Sequence, residues 1–328
     1  MRQPRIKVPA TEGIAVYHCM TRTVNGERLF QDTDKEILRR QLWQVADYTG
    51  VEILTYAILS NHFHVLLRIP QSSPITDAEL LRRYHVLYPH PTQYQVAHLD
   101  VIRAHLATND PEAAAWRKRQ LALMGDVSQF MKLVKQRFSI WFNQTHTRFG
   151  TLWAERFKSV LVEPQANLIR TMAAYIDLNS VRAGIVSDPM DYRFCGYAEA
   201  VAGHRAAQRG LITATESTTW SDAQAGYRQS LFGAGAGPRV NARLITLSEF
   251  ERVIAAGGHL PLATVLRCRV RYFNDSAILG TTAFVAAQLA LYRKKLGLRP
   301  HRTPRTLPPI TDWGDLAALR GLRRHAFG

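Results

Sequence analysis

The chain has 328 residues, 46 % of them hydrophobic, and 42 Lys and Arg stand against 26 Asp and Glu, for a formal net charge of +16. That hydrophobic share supports a folded core and argues against a wholly disordered chain. The cationic surplus favours a polyanionic partner, nucleic acid ahead of an acidic membrane surface. Cys19, Cys195 and Cys268 lie far apart with no CxxC pair, which argues against a thiolate zinc site. With no hydrophobic signal core at the start, they fit a reducing cytoplasm. No apolar run approaches the roughly 20 residues of a membrane span.

The first strand is expected over 14–22, with Val16, His18 and Met20 on one face and Tyr17, Cys19 and Thr21 on the other. His18 reads as a packing residue of that strand. A helix follows. Thr33 and Glu36 have capping-box spacing, Leu38, Leu42 and Val45 form an apolar stripe, and Gly50 is a stop signal. A strand over 51–59, a tight turn at Ser60-Asn61 and a strand over 62–69 come next. In the last of these Phe63, Val65, Leu67 and Ile69 face the core, and His62, His64, Leu66 and Arg68 face the other way.

Residues 71–126 interrupt the pattern and read as an insertion covering one edge of the site, with helical stretches at 78–88 and 113–124. The helix over 128–145 carries Phe130, Val134, Phe138 and Trp141 on one side and basic positions at Lys132, Lys135 and Arg137. A strand over 155–163 puts Arg156 and Lys158 on one face. A last helix over 166–183 ends at Gly184. The order strand, helix, strand, strand, helix, strand, helix predicts a ferredoxin-like α+β fold: one antiparallel sheet, helices on one face, and His62 and His64 on the open face. We assign a catalytic domain to 1–197, including the insertion.

Beyond it, residues 198–243 are rich in Ala, Gly, Ser and Thr and read as a linker-like connection. A mainly helical C-terminal region is expected over 244–328. It holds a helix at 281–295, a basic Pro-rich extended stretch at 301–309, and a last helix-like piece ending in Arg320, Arg323 and Arg324.

The chemistry rests on spacing. On a strand, positions i and i+2 point the same way, so His62 and His64 can share one metal ion. On a helix, positions i and i+4 lie one above the other, so Tyr175 and Asn179 share a stripe, and Asn179 offers an amide oxygen as a third ligand. Two imidazoles and an amide oxygen leave room for phosphate oxygens and water, which suits Mg²⁺ or Mn²⁺ acting on a phosphodiester. A phenol is a weak nucleophile at neutral pH, and nearby metal charge favours its phenolate. Each element has a plainer reading as well: a chance HxH, a packing tyrosine, a helix-terminal asparagine, and solvated surface cations.

The segment NHFHVLL at 61–67 resembles the HUH motif of single-tyrosine transposases, in which U is a hydrophobic residue. YHCMTR at 17–22 resembles their first strand, and GTLWAERFK at 150–158 and YIDLNSVRAG at 175–184 are similar to two further blocks. Together they resemble the REP-associated tyrosine transposases over residues 14–197. The resemblance implies a divalent metal, a tyrosine nucleophile forming a 5′-phosphotyrosine link, and a single-stranded DNA substrate bearing short palindromic hairpins. By position, His62 and His64 match the histidine pair, Tyr175 the tyrosine, and Asn179 the polar residue one turn later. Arg22, Lys132, Lys135, Arg156, Lys158 and Arg182 are candidate DNA contacts. Ser180 departs from the proline usual in the last block, and the 71–126 insertion is a second departure.

The segment VRYFNDSAILG at 270–280, with the helix after it, looks like the tail of longer members: a helix-turn-helix-like DNA module or a packing extension. The expected protein is a monomer or homodimer in a bacterial cytoplasm, associated with the nucleoid. The alternatives are a DNA-hairpin binder without turnover and an RNA-binding module of the same fold.

Overall fold

In the computed structural model, which describes residues 5–89, 92–108, 110–232, 273–274, 276–296, 305–306 and 316–320, the alternating run over 62–69 is a strand with the expected bounds. This is β3 (His62–Ile69), and β1 (Ala15–Arg22), β2 (Glu52–Ile58) and β4 (Lys158–Val162) join it. β1 lies between β3 and β4, antiparallel to both, and β2 pairs antiparallel with the far side of β3. The order β2-β3-β1-β4 is that of a ferredoxin-like βαββαβ unit. β4 starts three residues later than predicted, which leaves Arg156 in the preceding loop.

The two helices of that unit, α1 (Asp32–Thr49) and α5 (Val127–Thr145), pack together on one face. Aromatic rings fill the space beneath them. Phe30 meets Phe138 edge-on at 5.3 Å between centroids, and Trp153 links Phe138 to Phe63 of the sheet. The N-cap of α1 is Gln31, two residues before the predicted Thr33. Gln31 and Asp34 form the capping box, and Glu36 is occupied by Arg39 and Arg40. Gly50 ends the helix in the left-handed region at φ 68°, where a side chain would be strained.

The 71–126 stretch folds into three helices: α2 (Asp77–Leu87), α3 (Gln93–Ala107) and α4 (Pro111–Leu121). They share a small core of their own around Leu80, Leu99, Ile102 and Trp116. Its polar ties run to α1, through Arg82 with Asp47 and the Tyr48 hydroxyl donating to Gln120 Oε1.

The face of the sheet opposite α1 and α5 is not open. α6 (Ala166–Asp177) and α9 (Arg205–Thr215) lie over it, with α10 (Trp220–Phe232) behind and the short α8 (Gly196–Val201) beside them. This corrects both the open face and the linker-like reading of 198–243. Small residues look loose in sequence but here allow close approach. Ala207, Gly210, Leu211 and Ala214 are buried, and a Cβ at Gly210 would sit 2.4 Å from the Ile53 carbonyl oxygen. Residues 233–243 lie outside the described residues.

The expected helix over 166–183 breaks at Leu178, and a short α7 (Asn179–Arg182) follows. At the break, the Tyr175 carbonyl accepts from the Arg182 guanidinium at 2.6 Å, so a side chain replaces a helical backbone partner.

Asp177, fully buried at the end of α6, ties these layers together. Its carboxylate accepts from Thr55 Oγ1, the Tyr197 amide and the Tyr227 hydroxyl. Burial raises its pKa to about 7 from an ordinary 3.8 despite those donors. The folded state therefore binds a proton that the unfolded chain releases, and its stabilisation is complete below pH 3.8 and lost as pH rises through 7. We expect stability to fall by up to about 1.4 kcal/mol per pH unit across that window. Urea unfolding at pH 5 and pH 7 should show this drop in the wild type. The Asp177→Asn chain should lack that part of the slope, and equal slopes in the two would refute the assignment.

The described C-terminal segments extend the sheet, while residues 244–272, 297–304 and 307–315 of the expected mainly helical region lie outside the described residues. β5 (Ser276–Thr281) runs parallel to β4, β7 (Leu316–Arg320) pairs antiparallel with β5, and β6 (Arg305–Thr306) pairs with β7. The described sheet thus has seven strands, ordered β2-β3-β1-β4-β5-β7-β6. Helix α11 (Thr282–Leu296) matches its prediction and packs on β5 and β7. The helix-turn-helix reading of 270–280 is corrected, since Ile278 and Leu279 are fully buried in a strand that covers the β4 edge. The helix-like reading up to Arg320 is corrected in the same way. Residues 321–328, with Arg323 and Arg324, lie outside the described residues. Among the described residues no helix is long and apolar enough to cross a membrane.

Candidate active site

Strand register builds the site. Arg22 sits opposite His62 and Met20 opposite His64 across β1 and β3, while Met20 sits opposite Lys158 across β1 and β4. Directly paired residues share a face, so Arg22, His62, His64 and Lys158 all lie on the face that α6 covers. There a cavity of about 420 Å³ is lined by His62, His64, Tyr175 and Asn179. Its cations are Arg22, Arg156, Lys158 and Arg182.

Lys132 and Lys135 do not line the cavity. Lys132 is exposed on α5. Lys135 donates to the Glu155 carbonyl at 2.8 Å, and burial pulls its ammonium down to about 8. Lys135 therefore braces the loop carrying Glu155 and Arg156. The 71–126 helices contribute no residue to the cavity, contrary to the expectation that they cover an edge of the site.

The imidazoles of His62 and His64 are 5.2 Å apart between centroids and nearly perpendicular, at 79°. Nδ1 of His62 lies 2.6 Å from Asn61 Oδ1. The Asn61 amide is fixed, because its Nδ2 donates to the Gly26 carbonyl. His62 therefore carries a proton on Nδ1. His64 is 5 % exposed, and its Nδ1 lies 2.8 Å from His18 Nε2. Burial pushes His64 well below the ordinary histidine value, with His18 and His62 adding to the effect. Burial also takes His18 down to about 4. Both buried rings are neutral at pH 7, the form that binds a metal.

Tyr175 is 1 % exposed, so it meets the histidines in a covered cavity and not on the open sheet face expected for them. Its neighbours are nonetheless polar. Arg182 lies over the ring at 3.9 Å, and Asn274 Nδ2 donates to the hydroxyl at 2.5 Å. Phe273 packs edge-on at 4.9 Å. Asn179 donates through Nδ2 to the Ile176 carbonyl at 2.9 Å, which leaves Oδ1 as the acceptor end of an amide that borders the cavity.

The donor set fits a divalent cation. Two imidazoles and the Asn179 amide border one space, and Asn274 Oδ1, buried there, has no hydrogen-bond partner among the described residues. Elsewhere in the described residues, His105, Asp110 and Glu112 bring donor atoms within 4.8 Å of one another. None of the three lines this cavity.

His18, Phe273 and Asn274 escaped sequence reading. His18 sits in the quoted first-strand motif, which was a usable signal. Phe273 and Asn274 lie in the quoted 270–280 segment, but nothing local ties them to this site, which they reach across 255 and 99 residues of sequence.

Comparison with known proteins gives a match over part of the chain. Residues 14–80, which span β1 to the first turn of α2, match the model of the family described as IS200-like transposases. No curated protein matches. Among solved structures, the chain is similar to a REP-associated tyrosine transposase bound to a REP hairpin. Identity is 15 %, the match covers 62 % of this chain and 86 % of that one, and the TM-score is 0.36.

Proposed function

We propose that this chain, IS200-like over residues 14–80, nicks and rejoins single-stranded DNA carrying palindromic hairpins, with Tyr175 as the nucleophile. The observation that carries this reading is the cavity in which a tyrosine, a histidine pair and four cationic side chains converge from β1, β3, β4, α6 and α7 and the loop before β4. His62, His64 and Asn179 would hold Mg²⁺ or Mn²⁺. When bound, that ion polarises a non-bridging phosphate oxygen and offsets its charge.

The rest falls to the chain. Arg22, Arg156 and Lys158 draw the DNA backbone towards the cavity mouth. Arg182, stacked on the phenol and bonded to its backbone carbonyl, fixes the ring's orientation. Asn274 donates to the phenolic oxygen, a bond that strengthens as the oxygen gains negative charge. The Tyr175 oxygen attacks phosphorus and gives up its proton. The bond from phosphorus to the 3′ oxygen breaks, and that oxygen leaves as a hydroxyl. The 5′ phosphate stays on Tyr175, so one ester bond replaces another and a second 3′ hydroxyl can reverse the step.

The assay is a labelled hairpin oligonucleotide incubated with Mn²⁺. The reading predicts a protein-linked fragment and a second fragment that a polymerase can extend, both suppressed by a chelator. Cleavage that persists in excess chelator would refute it. The near-complete burial of Tyr175 favours a second reading, hairpin binding without turnover, and tight binding with no linked fragment would select it. Salt gives a further expectation. If Arg22, Arg156 and Lys158 each contact a phosphate, log affinity against log salt should have a slope of about −2, and Arg156→Ala should make it shallower by about 0.7. An unchanged slope in that variant would remove Arg156 from the interface.

A further inference from the structure

We propose that His18 is a positioning residue that, held by the backbone carbonyl of Phe273, sets the tautomer of His64 so that His64 presents its Nε2 lone pair to the metal. The inference rests on the metal-site reading above. It follows from three consecutive contacts with only one consistent proton assignment. His18 Nδ1 lies 2.8 Å from the Phe273 carbonyl oxygen. A carbonyl only accepts, so His18 Nδ1 carries the proton. A neutral His18 then has a lone pair on Nε2, which lies 2.8 Å from His64 Nδ1. His64 must therefore donate from Nδ1, and its Nε2 is left unprotonated.

The environment admits no easy alternative. His18 is fully buried, where a doubly protonated ring that could donate from both nitrogens would be a charge taken out of water. The two rings are stacked, 5.1 Å between centroids and 22° between planes, which fixes the His64 ring as well as its proton. Metal-binding histidines usually donate their second N–H to a carboxylate, a carbonyl or water. Here a second histidine fills that place and passes on the demand of a carbonyl from the C-terminal part of the chain.

One member of the motif's histidine pair, His64, is thus the end of a relay that runs from Phe273 through His18. His62 has its own separate anchor in Asn61, so the two ligands are set independently. A substitution at His18 should disturb His64 and leave the His62 tautomer alone.

The test combines imidazole ¹⁵N NMR of the metal-free full chain with Mn²⁺ titration. In the wild type, His64 is expected as the Nδ1–H tautomer; an Nε2–H tautomer there overturns the proposal without any variant. His18→Gln keeps an acceptor for His64 and a donor for the Phe273 carbonyl, and should hold Mn²⁺ affinity within about threefold. His18→Leu removes both and should lower it by about 10- to 100-fold, with the His64 tautomer signal altered and that of His62 retained. Equal losses in the Gln and Leu variants would mean packing and overturn the proposal. His62→Ala separates the two readings. If it lowers Mn²⁺ binding while His18→Leu does not, the relay alone fails. If His62→Ala leaves binding untouched, the metal site fails and the relay's role with it.

Discussion

Tyr175→Phe is expected to abolish formation of the protein–DNA adduct, with a fall in cleavage rate of at least about 10³-fold, while hairpin affinity stays near that of the wild type. The substitution removes one atom, and that atom is the proposed nucleophile. The ring remains, so the stacking of Arg182 and the edge contact of Phe273 persist. The structural cost is confined to Asn274, whose Nδ2 loses its acceptor in a buried place, a penalty of about 1–3 kcal/mol. A chain that folds, binds DNA and forms no adduct is the predicted phenotype. Covalent capture that survives in the Phe variant would assign the nucleophile elsewhere. Raising the Mn²⁺ concentration should restore nothing, because metal occupancy is not what the variant lacks.

His62→Ala is expected to behave differently in that last respect. It removes one of two imidazole ligands and should weaken Mn²⁺ binding by at least about 100-fold, since even residues that only orient a ligand cost up to that much. Cleavage at low Mn²⁺ should be lost, and excess Mn²⁺ should recover part of it. His62 is the cleaner choice of the two. It is half-buried, and its removal frees the Asn61 oxygen at the cavity's edge. His64→Ala would also leave the His18 Nε2 acceptor buried without its donor, mixing a stability loss into the readout. Titrating cleavage against Mn²⁺ for wild type, His62→Ala and Tyr175→Phe thus gives three distinct curves. Coincident curves for wild type and His62→Ala would remove that histidine from the metal site.

The parts of the site that were legible in sequence are those set by local period. Alternation along 62–69 placed Phe63 in the core and both imidazoles on the other face, because a strand leaves no other option. The bounds of β3 and the stop at Gly50 followed from equally local chemistry. What could not be read was set by pairing at a distance. The register that brings His18 to His64 depends on how β1 meets β3, and nothing within β1 declares it. Asn274 reaches Tyr175 only because β5 joins the β4 edge, a parallel pairing between segments more than 100 residues apart.

The misread helices and strands have the same origin. Leu316–Arg320, rich in Leu and Ala, has helix-forming residues, yet it pairs with β5 because five residues are too few for propensity to outweigh a sheet edge. The 205–215 stretch, with three Ala and one Gly, looked like part of a connection because small residues lack an apolar signature, yet their smallness is what lets α9 settle onto β2. Covering the histidine face was therefore invisible from sequence, and so was the burial of Tyr175. The consequence is functional: the DNA must bring its phosphate into a walled cavity, where charge–charge attraction is stronger than on an open sheet.

Proteolysis of the adduct formed on a hairpin oligonucleotide, followed by mass spectrometry of the DNA-linked peptide, tests the central claim most directly. The account predicts a nucleotide 5′ phosphate on the peptide that contains Tyr175 and on no other. A modified residue anywhere else, or DNA joined through a 3′ phosphate, would contradict it.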